Sequence, residues 1–305
     1  MKKFLKSLGV LSLAGSVLVG ATSAVQAQGE FEGETVTVGV VSEAEEQVWE
    51  FVSEQALEQE GIELELVLFT DYVQPNVALQ DGSTDLNAFQ HVAFLNEWNE
   101  ANDGNLEALG FSYITPLGVY SESITSIEEI PEDAVIAIPN DPTNGGRALL
   151  GLELAGLIEV DDEAGILPTV ADVTDNPLNI QFEELEAAQI AQALPDVDAA
   201  VINNTFALDA GLSVEDAIFL DAENPADLPD DYKNIIAVNG DNADSELFAK
   251  VVELYQTDEV AEKLAEASNG GDVPAWTEEG EEEGSDSSES EETTEESEES
   301  EESAE

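Results

Sequence analysis

At 305 residues with 42% hydrophobic content, the chain can build one large or two ordinary domains with buried cores. Seven Lys and Arg stand against seventy Asp and Glu, a formal net charge of −63. Such a charge repels polyanions and excludes nucleic acid as a partner, and so few cations cannot form a basic patch for an anionic membrane surface. The absence of cysteine excludes disulfides, thiolate metal sites, cysteine nucleophiles and lipid attachment through an N-terminal cysteine.

Residues 1–27 place Lys2, Lys3 and Lys6 ahead of an apolar run that closes on small residues, with Val25-Gln26-Ala27 as the cleavage site. The run is short and interrupted by Gly9, Ser12, Gly15, Ser16 and Gly20. It reads as an export signal rather than a membrane anchor, so the expected mature protein begins near Gln28 and works outside the cytoplasm, in the periplasm, cell envelope or medium, without a cysteine-linked lipid. At the other end, sixteen of the twenty-nine residues 277–305 are acidic and none is a large apolar residue. That composition predicts a disordered acidic tail. The acid excess of the whole chain suits a saline habitat.

Between these ends strands and helices alternate. A β-branched strand over 35–41 leads into Ser42-x-x-Glu45, a capping box opening a helix with Val48, Phe51, Val52 and Ala56 on one face. A strand at 62–69, a helix over 71–80 stopped by Gly82 and a strand at 86–89 complete a βαβαβ unit. A second unit follows: strand 134–138, helix 146–157, strand 180–185, helix 187–194 and strand 199–202. Segments 113–121 and 233–240 are extended and lack helical periodicity, so they read as two hinge crossings, and helices over 243–256 and 258–268 return to the first lobe. The expected fold is α/β, with two open sheets joined by two crossings around a cleft. Residues 28–116 and 237–276 form lobe 1 and residues 117–236 form lobe 2.

Three segments lie where strands end and helices begin, the place where open α/β sheets bind ligands. They are Phe69 to Asn76 with Asp85 to His91, then Ile138 to Leu150, then Ala200 to Ala207. Arg147 is the only arginine, after a loop with Asp141 as N-cap and Pro142 at the first helical position. With Asn144 it suits a ligand carboxylate; an ion pair with one of many acids is the other reading. His91, the only histidine, is either a packed residue or a ligand group. Asn203 is either a ligand contact or a helix cap, with Asn204 the better cap.

These segments, with Phe182 to Glu186 and Asn269-Gly270-Gly271, resemble the NlpA-type methionine-binding proteins of ABC importers over about residues 36–276. The resemblance implies a type II periplasmic-binding fold without a cofactor, which takes methionine or a related small molecule and delivers it to a membrane permease driven by an ATPase. It also implies that Tyr72, Phe89 and His91, with Phe69, wall a thioether pocket, and that Asn203 contacts the amino or carboxylate group of the ligand. An enzyme and an envelope adhesion protein are the other classes; G-x-S-x-G, Walker and H-E-x-x-H motifs are absent from the sequence.

Removing residues 277–305 is expected to leave the melting temperature unchanged at matched ionic strength, since a solvated acidic segment adds nothing to a core. Thermal unfolding of the full and shortened chains checks this.

Overall fold

The computed structural model describes residue 29 and residues 31–276. The expected export signal, the mature start near Gln28 and the acidic tail lie outside the described residues.

The first sheet is built from β1 (Thr35–Val40), β2 (Glu63–Leu68), β3 (Leu86–His91) and β4 (Leu106–Phe111). Helix α1 (Glu43–Gln59) connects β1 to β2, α2 (Gln74–Asp81) connects β2 to β3, and α3 (Val92–Asn102) connects β3 to β4. After β5 (Tyr113–Ile114) the chain enters the second sheet with β6 (Gly118–Tyr120), β7 (Val135–Pro139), β8 (Glu159–Val160), β9 (Val173–Asp175), β10 (Gln181–Leu185), β11 (Ala199–Ile202) and β12 (Phe219–Leu220). Helix α4 (Pro142–Leu154) follows β7, α5 (Ala187–Ala193) follows β10 and α6 (Asn204–Asp209) follows β11. The chain then returns through β13 (Asn234–Asn239), α7 (Glu246–Tyr255), α8 (Asp258–Ala267) and β14 (Val273–Pro274).

The sheet orders are β2-β1-β3-β13-β4 and β10-β7-β11-β6-β12. Each has three parallel strands, then an antiparallel strand supplied by a crossing: β6 pairs with β11 and β12 in the second sheet, and β13 with β3 and β4 in the first. The crossings are therefore inner strands as well as hinges. Strand β13 stays whole in the first sheet, although the expected lobe boundary falls between residues 236 and 237. Beside the hinge, β14 pairs with β5 and fastens the end of the described chain to the first crossing.

Local chemistry explains the element ends. Ser42 caps α1 by accepting the Glu45 N–H at 3.0 Å, while the Glu45 carboxylate takes the Val41 N–H at 3.0 Å, one residue before the capping-box position. Helix α2 starts at Gln74 rather than 71, because Asp71 accepts the N–H groups of Val73 and Gln74 in a side-chain turn. Asp141 caps α4 and Pro142 opens it, so this helix starts four residues before the expected 146. Helix α3 and strand β4 were not among the expected elements. The cap of α3 is His91, whose Nδ1 accepts the Phe94 N–H at 3.1 Å, a residue type that does not announce a helix.

Each lobe has its own core. Val36, Val38, Trp49, Val52, Ile62 and Tyr255 close the first, and Ile136, Ile138, Leu149, Leu152 and Val201 the second, each side chain contributing about 1.5–3 kcal/mol by leaving water. A third cluster lies between them and includes Phe89, Phe94, Tyr120, Ile202 and Phe206, so the lobes meet on apolar as well as polar surface.

Candidate functional site

A tight cavity of about 30 Å³ lies between the lobes. The first sheet side contributes Tyr72, Phe89, Gln90, His91, Phe94 and Asn234, the second contributes Asn144, Arg147, Asn203, Asn204 and Thr205, and the first crossing contributes Tyr113 and Thr115.

Strand β3 is buried along its whole length, which requires its polar residues to be paired. Asn76 of α2 exchanges two side-chain bonds with Gln90, at 2.7 and 2.6 Å, and accepts a third from Asn87 at 2.9 Å. This amide cluster fixes α2 on the strand and so sets the position of the aromatic wall. Tyr72 packs at 5.6 Å from Phe89, 6.0 Å from Phe94 and 4.7 Å from Phe206, centroid to centroid. Its hydroxyl bonds to Thr205 of the opposite lobe, and burial pushes its pKa above the ordinary range. Phe69, expected in this wall, is outside the cavity: it lies against Gly39 and lines a separate groove with Ser42 and Phe206.

Arg147 is buried, 4% exposed. Its Nε donates to Asp221 Oδ2 at 2.7 Å, its Nη2 donates to the Thr115 carbonyl at 3.0 Å, and the Tyr232 ring lies 4.4 Å from Cζ. The ion pair, one of the two expected readings of this residue, is present. An internal ion pair holds the guanidinium by its Nε side, and among the described residues its hydrogen bonds run from Nε and Nη2 while the residue lines the cavity. Asp221 also accepts the Leu117 N–H at 2.8 Å, which ties the pair to the start of the second lobe.

Asn144 does not present free donors beside Arg147. Its Nδ2 is bound to both Asp141 oxygens, at 3.0 and 3.1 Å, and its Oδ1 accepts from Asn203 Nδ2 at 2.7 Å. It therefore orients Asn203. Asn203 stands at the N-cap position of α6 but makes no side-chain capping bond, and Asn204 inside the helix start does not cap it either. Among the described residues the Oδ1 atoms of both are buried without a partner, although both residues line the cavity. Buried amide oxygens are expensive to leave unmatched, and here they mark acceptors awaiting a donor. Gly145 and Gly146 approach protein, not the cavity: a Cβ at either would meet the Pro139 carbonyl at 2.6 Å or the Ile166 carbonyl at 3.0 Å.

Burial and then the nearby Arg147 charge push the His91 pKa down to about 3, so its ring is neutral. Because Nδ1 accepts from Phe94, the ring proton is on Nε2, which faces Asn144 Oδ1 across the lobes at 3.4 Å. Behind the first crossing, burial raises Glu45 to about 7, partly offset by the Tyr113 hydroxyl and the Val41 N–H, and raises Asp272 to about 6, partly offset by Thr115 and Asn204. Sequence reasoning missed Phe94, Thr115, Asn204, Asp221, Tyr232 and Asp272. The Asn203-Asn204 pair was a visible signal; Asp221 was hidden among the many acids.

The fold and this cavity define a two-lobed substrate-binding protein. A family model described as NlpA lipoprotein matches residues 36–276, and the chain belongs to that family. The D-methionine-binding lipoprotein MetQ of Escherichia coli (strain K12) is 42% identical over 279 residues, 90% of this chain and 99% of that one. A nutrient-binding protein from Burkholderia cenocepacia, solved bound to methionine, superposes with a TM-score of 0.75 at 39% identity, covering 79% of this chain and 99% of that one. The substrate-binding protein of a methionine transporter from Streptococcus pneumoniae does so with a TM-score of 0.74 at 41% identity, covering 79% and 96%.

These relatives correct one expectation. The family and its curated members are named lipoproteins, which implies a lipid-anchored place in the cell envelope and overturns the expectation of a location without a cysteine-linked lipid. The expectation reasoned from missing cysteines, and that speaks to one attachment chemistry, not to where members of the family reside.

Glu45 gives a pH test of the buried hinge. Its folded pKa lies above its ordinary 4.5, so the folded state holds the proton more tightly and the associated stability, full below 4.5, is lost as pH rises through about 7. Glu45→Gln, which cannot ionise, is expected to match the natural protein near pH 5 and to be more stable at pH 8, by about 1–3 kcal/mol. Thermal unfolding at both pH values checks it, and a difference that does not change with pH contradicts it.

Proposed function

We propose that the protein binds methionine by closure of its two lobes and delivers it to a membrane permease powered by an ATPase. The observation that carries this reading is the union, in one interlobe cavity, of a buried guanidinium, two unpaired amide oxygens and a box of aromatic rings. A zwitterion with an apolar side chain answers each of the three. Its carboxylate meets the Nη side of Arg147, its ammonium meets Asn203 and Asn204, and its thioether lies among Tyr72, Phe89 and Phe94, where sulfur–ring contacts add about 0.3–1.5 kcal/mol each. Relatives named as methionine-binding proteins, at about two-fifths identity across most of the chain, support the same ligand.

Closure follows from where these groups sit. The aromatic wall belongs to the first sheet, and Arg147 and Asn203 to the second, so a ligand touching both favours the closed form by its contacts. His91 facing Asn144, and Tyr72 bonded to Thr205, are protein–protein contacts that form in the same movement. The closed outline is what a permease would recognise.

The carboxylate placement is testable at Arg147. Replacement by Ala would also strand the buried Asp221 carboxylate, so Arg147→Lys is the cleaner variant: it keeps the positive charge and loses the planar fork. By calorimetry the natural protein is expected to prefer methionine over methionine amide by about a hundredfold, the scale of a buried charge-assisted contact of about 3 kcal/mol. Arg147→Lys is expected to lose most of that preference and remain folded. Equal binding of the two ligands by the natural protein would sink the placement.

A further inference from the structure

Asn203 and Asn204 present the same unpaired oxygen to the cavity, but different anchors hold them. Asn203 is held from within its own lobe by Asn144. Asn204 is held across the lobes, its Nδ2 donating to Asp272 Oδ1 at 2.8 Å. Asp272 is 7% exposed and Asn204 3%.

The segment before Asp272 is shaped to seat this carboxylate. Asn269 and Gly270 adopt positive φ values of 53° and 84°, which favour Asn and Gly. The Asp272 N–H donates to Ser268 Oγ at 2.9 Å, and the Thr115 hydroxyl donates to the Gly271 carbonyl at 3.2 Å. Gly271 packs so closely that a Cβ there would lie 3.1 Å from Asn204 Nδ2. None of residues 269–272 lines the cavity, so the Asn-Gly-Gly turn singled out in the sequence serves the amide behind it.

An ionised carboxylate only accepts hydrogen bonds. The Asn204 amide must therefore turn its NH2 group toward Asp272 and its oxygen away, toward the ligand. The negative charge behind the amide also polarises it and strengthens its oxygen as an acceptor. We propose, building on the methionine reading, that Asp272 is a positioning and specificity residue which, through Asn204, provides the counter-charge for the ligand's ammonium and selects α-amino acids over carboxylates with the same side chain.

The ionisation of Asp272 gives a second handle. Its carboxyl titrates near 6. An ammonium ligand favours the ionised form, so binding is strongest above that value and weakens as pH falls through it. Glu45 of α1, Tyr113 of β5 and Tyr255 of α7 act on the same buried cluster. Both tyrosines stay neutral because burial raises them further, and Glu45, at about 7, is the one competing titration. Across the cavity His91 is neutral down to about 3.

The experiment compares methionine with 4-(methylthio)butanoate, which has the same carboxylate and thioether and no ammonium, by calorimetry and competition on the whole protein. Asp272→Asn is expected to weaken methionine roughly tenfold or more, the scale of one charge-assisted hydrogen bond, and to leave the analogue nearly unchanged. Equal losses for both ligands would make Asp272 a structural brace only and overturn the proposal, as would no loss for methionine. Should Asp272→Asn not fold, the natural protein still decides: its preference for methionine over the analogue must decline from pH 8 to pH 5, must decline likewise in Glu45→Gln, and a flat preference overturns the proposal. A natural protein that binds neither ligand refutes the methionine reading itself, whereas one that binds methionine with the preference intact in Asp272→Asn refutes the role of Asp272 alone.

Discussion

The interlobe site depends on one buried ion pair, Arg147 with Asp221. A guanidinium at 4% exposure is tolerable only because its charge is balanced and its donors are used. Asp221 supplies the balance from the second lobe, and the Thr115 carbonyl supplies an acceptor from the first crossing. The same pair anchors the Leu117 N–H, so a residue that lines the cavity is bonded to the hinge. Tyr232 covers one face of the guanidinium and meets His91 edge-on at 5.9 Å, which carries the arrangement to the other lobe. Loss of Asp221 would leave an uncompensated buried cation, and the cleft wall on that side would have no reason to keep its shape.

The chain has almost no cations to spend. The three described lysines form exposed i,i+3 pairs with acids, contacts worth little in water. Apart from Asp221, paired with Arg147, the interior acids Glu45, Asp272 and Asp141 are held by hydrogen bonds rather than by a counter-ion. Glu45 is met by a tyrosine hydroxyl and a backbone N–H, Asp272 by an amide and a hydroxyl, and Asp141 by the head of α4. Each is raised in pKa by burial, in contrast to a carboxylate beside a cation. Glu45, raised to about 7, is therefore partly neutral near physiological pH.

Much of this was legible in the sequence, and the limits have physical causes. The parallel strands were visible because β-branched runs end at turn residues, and the cleft followed from three strand-to-helix junctions. Arg147, His91 and Asn203 were marked by rarity or by position, Tyr72 and Phe89 by the family resemblance, and all five line the cavity. Phe69 failed because an aromatic next to a junction can face either side of it, and its ring fills the space over Gly39 instead. Asn144 was found, but sequence does not tell that both ends of its amide are engaged within the protein, by Asp141 and by Asn203. Helix α3 was lost because its cap is a histidine. Asp221 and Asp272 were lost because seventy acids make any one of them uninformative; only burial separates them from the rest.

The arrangement of charge around the cavity has a consistent logic. Asp141 lies behind Asn144 and, through it, Asn203; Asp272 lies behind Asn204; Asp221 lies behind Arg147. Among the described residues no carboxylate lines the cavity itself. In a protein of charge −63, a bare carboxylate there would concentrate small cations from solution and would have to shed them before an ammonium could enter. Amide oxygens backed by carboxylates give a directed and polarised acceptor with less of that competition. They also avoid the full desolvation cost of a free anion in the closed cleft, several kcal/mol by rough reckoning. The ion pair at the other end of the cavity works by the same rule, since Asp221 cancels most of the long-range field of Arg147 and leaves its remaining donors to act at hydrogen-bond distance. On the proposed reading, a neutral zwitterion then enters a nearly neutral cleft, and selection rests on the placement of short-range donors and acceptors, a design that still works when salt screens the acidic surface.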